Sequence, residues 1–334
     1  MSITVIKPGL QSSFQDLGRH GHQHLGVSVS GAMDTRAHRL ANMLVGNSDD
    51  QATLELTLTG PSLQFSTAAC IAISGAALSP TVNGQSVPNN RPLIIKPGDT
   101  LAFGTRTKGL RAYLAVYGGF DIAPVLGSRS TFLRGNFGGL EGRALKKGDQ
   151  INLGQSLSDR DIDTLSDELW KIKVYLPAIL GLSLKSEIRV IAGPHAERFS
   201  DTSLTQFFES DYQVSAQSER MGYRLEGPTL TLKDTTQIVS EVTSFGTIQV
   251  PPDGKPIILM ADRQTTGGYV KIAHVATIDL PLVAQIMPGE HMSFHAITLA
   301  QAQQLDNQRE QAFGRLYQGL ESLRELLATQ PDQN

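Results

Sequence analysis

The chain has little of what usually announces a function. One cysteine occurs in 334 residues, so no intrachain disulfide can form. That residue, Cys70, lies in the apolar run "AACIAISG" and reads as a small buried hydrophobe. No apolar stretch approaches the roughly 18 residues of a membrane span. The opening "MSITVIKPGL" lacks the apolar core of a signal peptide, so a cytoplasmic protein is expected. An excess of charge of one sign is missing as well. A formal net charge of −3 gives no pull toward nucleic acid or anionic membrane. No Ser-His-Asp order, G-x-S-x-G elbow or H-E-x-x-H motif is visible. What remains is an ordinary globular composition, 40% hydrophobic and 18% charged, long enough for two domains.

Glycine and proline are plentiful, at 32 and 16, which predicts many short strands separated by turns. Strand candidates include "ITVIKP", "TLELTLTG", "SLQFS", "CIAIS", "PLIIKPGDTLAFG", "LRAYLAVYGG", "EIRVIAG", "LTLKD", "TIQVPPDG", "PIILMA" and "MSFHAI". Helices are expected at 34–47, where Asp34 is placed to cap and Gly46 to stop, and at 201–211. A third is expected from Thr298 onward, where Thr298 and Gln301 form a T-x-x-Q capping box. Gly314 and Gly319 weaken that last helix by roughly 1 kcal/mol each relative to alanine.

A faint echo relates "LTLTGPSLQF" to "YRLEGPTLTL", and "IKPGDTLAF" to "IMPGEHMSF", in the same order. Between the halves, 152–171 is polar and charge-rich. The expected architecture is mainly β: two barrel-like domains, 1–160 and 186–334, joined by a linker at 161–185. Each has a few helices, and the C-terminal helix belongs to the second.

The densest polar segment is "DRQTTGGYVKIA", 262–273, which follows the apolar run "PIILMA". Two hydroxyls and two glycines after a strand suggest a loop that brings backbone N–H groups close to a ligand. It is not a phosphate loop. Tyr269 and Val270 separate Gly268 from Lys271, whereas the P-loop lysine directly follows its last glycine. A tight turn is the alternative, although Asp262, Gln264, Thr265 and Thr266 are more polar groups than a hairpin requires. "YVKIAHVATIDL" is expected to continue as strand.

Other segments join this loop as candidates. Ser30 and Gly31 lead into a helix N-terminus that favours an anion or a carbonyl oxygen. Asp34 is either the cap of that helix or part of a pocket wall. Glu55 lies amid apolar residues, either on an outward face or placed for a ligand. Arg220 and Arg224 either clamp a carboxylate or phosphate or are ordinary surface charges. Gln249 sits in an apolar strand, where a buried amide needs a hydrogen-bond partner. "GPHAERF" and "SFGTIQVPPDGKPI" add polar loops. His20, His22 and His24 alternate as metal ligands could, but three neighbouring glycines argue against a regular strand, and no metal site is expected.

These segments carry a resemblance. "QDLGRHGHQHLGVSVSGAMD", "TLELTLTGP", "SERMGYRLEG", "GTIQVPPDG" and above all "DRQTTGGY" are similar to the allophanate-hydrolase-subunit-2-type family, also called biotin-dependent carboxyltransferases. The resemblance runs from about residue 3 to about residue 297 and leaves the C-terminal helix largely outside. Val270 departs from the proline that usually follows "TTGGY".

The resemblance implies two cyclophilin-like barrels and a ligand that presents an N–H beside a C=O: a biotin ureido ring, urea or 5-oxoproline. By the resemblance 262–269 would be the loop that reads this edge; the candidate site, with the residues singled out above, comprises Asp262, Gln264, Thr265, Thr266, Gly267, Gly268, Tyr269, Gln249, Ser30, Gly31, Asp34, Arg220 and Arg224, with no catalytic residue assigned. The implied activity is that of one member of a multi-subunit, ATP-dependent 5-oxoprolinase, with ATP handled by the complex. Its partner subunits would be a Kip-inhibitor-like protein and a third protein of the deacetylase-like barrel type. The alternatives are half of a carboxyltransferase, with biotin carried by another protein since this chain has no attachment motif, or a non-catalytic antagonist of a kinase inhibitor.

Overall fold

The computed structural model describes residues 1–155, 157, 161–181, 185–234 and 238–328. Two compact units are built from interleaved stretches of chain. The first comprises Met1–Gly18, Asp34–Leu182 and Gln311–Asn334. The second comprises Arg19–Met33 and Ser183–Glu310. Each unit sequesters a piece that sequence order would give to the other, unlike the contiguous domains expected.

In the first unit, the strands are β1 Ser2–Lys7, β2 Gln11–Gln15, β3 Thr53–Thr57, β4 Ser62–Phe65, β5 Ala69–Ala77, β6 Pro80–Val82, β7 Gln85–Ser86, β8 Pro92–Ile95, β9 Thr100–Phe103, β10 Lys108–Val116 and β11 Gln150–Asn152. They form one sheet in the order β11-β1-β4-β9-β6-β7 and a second in the order β2-β3-β10-β5-β8. Ile3 and Val5 of β1 and Leu54, Ile71 and Leu114 of the other sheet meet in a single core. β10 is buried along eight of its nine residues, as a strand paired on both edges must be. "PLIIKPGDTLAFG" divides at its Pro-Gly into two strands, which do not pair with each other. Gly98 turns the chain at φ +90°, and β8 and β9 enter different sheets.

Helix α1, Thr35–Met43, begins where expected: Asp34 Oδ1 accepts from the Ala37 N–H at 2.9 Å. Helix α2, Ile162–Lys171, occupies the stretch expected as linker. Its composition is polar, but Leu165 and Leu169, one turn apart, are buried and hold it to the unit.

The second unit contains β12 Glu187–Ala192, β13 Tyr212–Val214, β14 Gly222–Glu226, β15 Glu241–Val242, β16 Thr247–Val250, β17 Ile257–Leu259, β18 Thr266–Gly267, β19 Val270–Val275 and β20 His291–Ala296. Among the described residues, seven of these close a barrel in the order β12-β19-β16-β17-β14-β13-β20, sealed by the parallel pairing of β20 with β12. Closure leaves no edge. Ile188, Tyr223, Ile248, Ile258 and Ile272 fill the barrel. Phe207 of helix α3, Asp201–Glu209, stacks on Phe294 at 4.6 Å between ring centroids.

"LTLKD" is not a strand; Leu232 makes only an isolated bridge to Phe199. "YVKIAHVATIDL" is strand only to Val275, after which comes a turn and helix α4, Leu280–Val283, with Pro281 in its first turn. Helix α5, Leu299–Gly319, opens with the capping box: Gln301 Oε1 accepts from the Thr298 N–H at 2.8 Å, and Thr298 Oγ1 from the Gln301 N–H at 3.2 Å. It stops at Gly319, and helix α6, Glu321–Ala328, follows with Leu323 and Leu327 buried. The mainly β expectation, with a few helices and a C-terminal one, is borne out. No helix among the described residues is long and apolar enough to cross a membrane.

Candidate functional site

The segment 262–269 connects β17 to β19 and is held open as a ribbon. Glu241 pairs with Gly267 and Val242 with Thr266 through β15 and β18. The Thr243 N–H donates to the Thr265 carbonyl at 3.0 Å, and its hydroxyl to the Gln264 carbonyl. Beneath the ribbon lies Lys271, only 5% exposed. Its Nζ is 2.8 Å from both Glu241 Oε2 and the Val242 carbonyl. That ammonium holds the Glu241 carboxyl below the usual carboxylate range. His195 Nδ1 accepts from the Lys271 N–H at 3.1 Å, and its Nε2 lies 3.6 Å from Glu241 Oε1. Accepting at Nδ1 fixes a neutral ring in the tautomer with its proton on Nε2.

The paired glycines have different reasons. A Cβ on Gly267 would lie 2.8 Å from Gln249 Nε2, so a side chain there would push the Gln249 carboxamide from its place under the ribbon. Gly268 has ordinary room around it. Gln249, 1% exposed on β16, accepts at Oε1 from Gln264 Nε2 at 3.3 Å. Its own Nε2 lies 3.5 Å from the Tyr269 carbonyl. Two carboxamides therefore sit side by side. The outer one, Gln264, is half-buried, and among the described residues its Oε1 and one N–H are left for another partner. Beyond Gly268 and the exposed Tyr269, a groove of about 410 Å³ runs past Leu230, Pro251, Pro252 and Val270.

Asp262 plays a different part from the ligand-reading one expected. It is 4% exposed, and both carboxylate oxygens engage Arg220, at 2.9 Å to Nε and 3.2 Å to Nη2. Arg220 Nη2 also donates to the Gly31 carbonyl at 2.6 Å. A second stitch joins the same segments where the Ser28 hydroxyl donates to the Arg263 carbonyl. Asp262 and Arg220 thus fasten 28–31 to the barrel. Arg224, on the alternate outward face of β14, is exposed, so the two arginines do not form one clamp.

Ser30 is 5% exposed and has φ +57°, a left-handed conformation rare for a residue with a side chain. Asp34 falls in the first unit. Besides capping α1 it pairs with Arg36 at 3.1 Å, and its N–H donates to Tyr113 Oη, whose proton goes to Glu55 Oε2 at 2.7 Å. Burial, then the Glu55 charge, pushes the Tyr113 phenol well above its ordinary value. Glu55 is therefore neither outward nor open. His20 and His24 are exposed, and a 3₁₀ turn spans Gln23–Leu25 in place of a strand.

Lys271, Glu241, His195 and Arg263 were not singled out from the sequence. Lys271 carried a usable signal: a lone charge inside the β-branched run "YVKIAHV" must find a counter-charge if the strand is buried. His195 and Glu241 carried none, because only the fold brings positions so far apart in sequence to Lys271.

Residues 25–296 match the family described as carboxyltransferase domain, subdomain A and B. The chain is 36% identical to the C subunit of Escherichia coli 5-oxoprolinase over 94% of its own length and 97% of that protein. It is 34% identical to urea amidolyase of Saccharomyces cerevisiae over 93% of its length, but only 17% of that protein. The crystal structure of Kluyveromyces lactis urea carboxylase matches with a TM-score of 0.85 at 35% identity, covering 94% of this chain and 29% of that one. Against urea amidolyase and urea carboxylase the chain thus spans less than a third of the relative. The resemblance carried by the ordered motifs holds over nearly the whole chain: this protein belongs to the family of carboxyltransferase domains composed of subdomains A and B.

Proposed function

We propose that the chain is a subunit of an ATP-dependent 5-oxoprolinase, opening 5-oxoproline to L-glutamate together with partner subunits in the cytoplasm. The observation that carries this reading is its likeness to a stand-alone 5-oxoprolinase subunit over almost the full length of that relative. The site supports it chemically. A lactam presents an N–H beside a C=O, and the Gln264 carboxamide offers an acceptor and a donor in the same spacing. Gln249 holds that carboxamide in place, and Gly267 makes room for the pair.

Activation by ATP is assigned to the assembly, because the 262–269 loop has no P-loop spacing. The partners would be a Kip-inhibitor-like protein and a deacetylase-like barrel protein. The likeness to urea carboxylase favours a second reading, a carboxyltransferase half acting on urea with biotin carried elsewhere.

The test is reconstitution. The purified chain alone should release no phosphate from ATP with 5-oxoproline, and adding both partners should restore turnover. Gln264→Ala in that mixture should lower kcat/KM on the order of tenfold or more, the loss of two neutral hydrogen bonds. Robust turnover by the single chain would overturn the subunit reading. A silent full mixture that carboxylates urea when given carboxybiotin would promote the second reading.

A further inference from the structure

Arg263 follows Asp262 in the loop but shares none of its satisfaction. It is 9% exposed, and among the described residues its guanidinium makes one weak hydrogen bond, from Nη1 to the Met260 carbonyl at 3.4 Å. The ring of Phe245 lies 5.8 Å away. Asp262, the nearest carboxylate in sequence, is already held on both oxygens by Arg220. The pair Arg220–Asp262 is neutral, and among the described residues no carboxylate pairs with Arg263, which leaves its charge incompletely compensated in a buried place. Desolvation accordingly pushes its guanidinium down to about 10, with the Asp262 charge opposing only in part.

A second orphan lies on the facing segment. Ser30 Oγ is buried and has no hydrogen-bond partner in the described structure. The two stitches flank it: Ser28 bonds to the Arg263 carbonyl, and Gly31 to Arg220. The chain between them therefore runs alongside residues 262–263, in the left-handed conformation noted above. A buried cation with one weak hydrogen bond and an aromatic face, and a buried hydroxyl with no partner among the described residues, lie on adjoining segments of one unit, and the same group would satisfy both: an oxygen bearing negative charge.

We propose that Arg263, with the Ser30 hydroxyl, forms an oxyanion subsite that takes the carboxylate or phosphate of a small ligand. This subsite is distinct from the amide-reading Gln264, which turns to Gln249 while Arg263 turns to Phe245 and Met260. It does not depend on the 5-oxoprolinase reading, because it concerns binding by the chain itself.

Thermal unfolding of the purified chain at constant ionic strength tests it. The probes are inorganic phosphate, 5-oxoproline and 2-pyrrolidinone, which is the same lactam without the carboxylate. Wild type should melt higher with phosphate, with 5-oxoproline, or with both, and the bare lactam should give a smaller rise than 5-oxoproline. A rise with phosphate alone assigns a phosphate site; a rise specific to 5-oxoproline over the bare lactam assigns a carboxylate site. Arg263→Gln should lose the anion-dependent rise while melting no lower than wild type without ligand, since a buried unpaired charge has been removed. Arg263→Lys, which keeps the charge, should retain part of the rise, and Ser30→Ala should bind about tenfold more weakly. The proposal is overturned if no anion raises the wild-type midpoint, or if Arg263→Gln keeps the full rise.

Discussion

Replacing Asp262 by alanine takes the carboxylate away from Arg220 in a place only 5% exposed. Breaking one side of a buried ion pair costs about 3–5 kcal/mol, so Asp262→Ala should lose more than about 5 °C in melting temperature. Catalysis per folded molecule in the reconstituted complex should stay near that of wild type. A stable variant with a large loss of turnover would return Asp262 to the ligand. The motif "DRQTTGGY" was legible from the sequence as a special loop, and so was the need for Gln249 to find a partner. The division of labour within it was not. Which of four consecutive polar residues faces a ligand depends on Arg220, forty-two positions away, taking both oxygens of Asp262. Gly267 was legible as a close approach, but the amide it approaches was not.

Among the elements, the helix starts were the easiest to read, because a cap is a local match between a side chain and backbone three residues on. Asp34 and the Thr298–Gln301 box both form as their spacing dictates. Helix α2 was hidden because its stretch averages to a polar composition, and only Leu165 and Leu169 betray a buried stripe. The end of β19 was not legible because the β-branched Thr277 and Ile278 follow Val275 with no break, although they already lie in the turn that leads into α4.

One junction between elements titrates. Asp16, directly after β2, accepts from the hydroxyls of Ser130 at 2.5 Å and Ser128 at 2.7 Å, and from the N–H groups of Gly18 and Arg129. Burial alone would raise its carboxyl, but these four bonds outweigh it and hold the group below its ordinary value. A depressed carboxyl stabilises the fold above its unfolded pKa, and the contribution fades as pH falls through the folded one. Asp16→Asn should therefore be less stable than wild type at pH 7, by about 1.5–3 kcal/mol. The gap should close as the pH is taken below about 4. Denaturant titrations across that range check it, and a gap that persists unchanged in acid would rule the carboxylate out as its source.

At the scale of the whole molecule, two mainly β units were legible from glycine, proline and the internal echo, but their interleaving was not. Nothing local in "RHGHQHLGVSVSG" says that it belongs with strands some two hundred residues later; the long-range bonds of Ser28 and Gly31 do. A fragment spanning 183–310 should accordingly unfold at a lower temperature than the same fragment supplied with a peptide of residues 19–33. Equal melting with and without the peptide would show that the barrel does not need its borrowed segment.

The interleaving also sets a timetable for synthesis. Ser28 meets Arg263 across 235 residues, so a ribosome adding about 5–20 residues per second leaves the early segment waiting roughly 10–50 s for its dock to emerge. The first unit encloses that gap, since Met1–Gly18 must pair with strands made after 34 while 19–33 stays unclaimed. A nascent chain of this protein thus carries an undocked loop through most of its translation. Any slowing of translation between residues 34 and 263 lengthens the period in which that loop is open to proteases and chaperones.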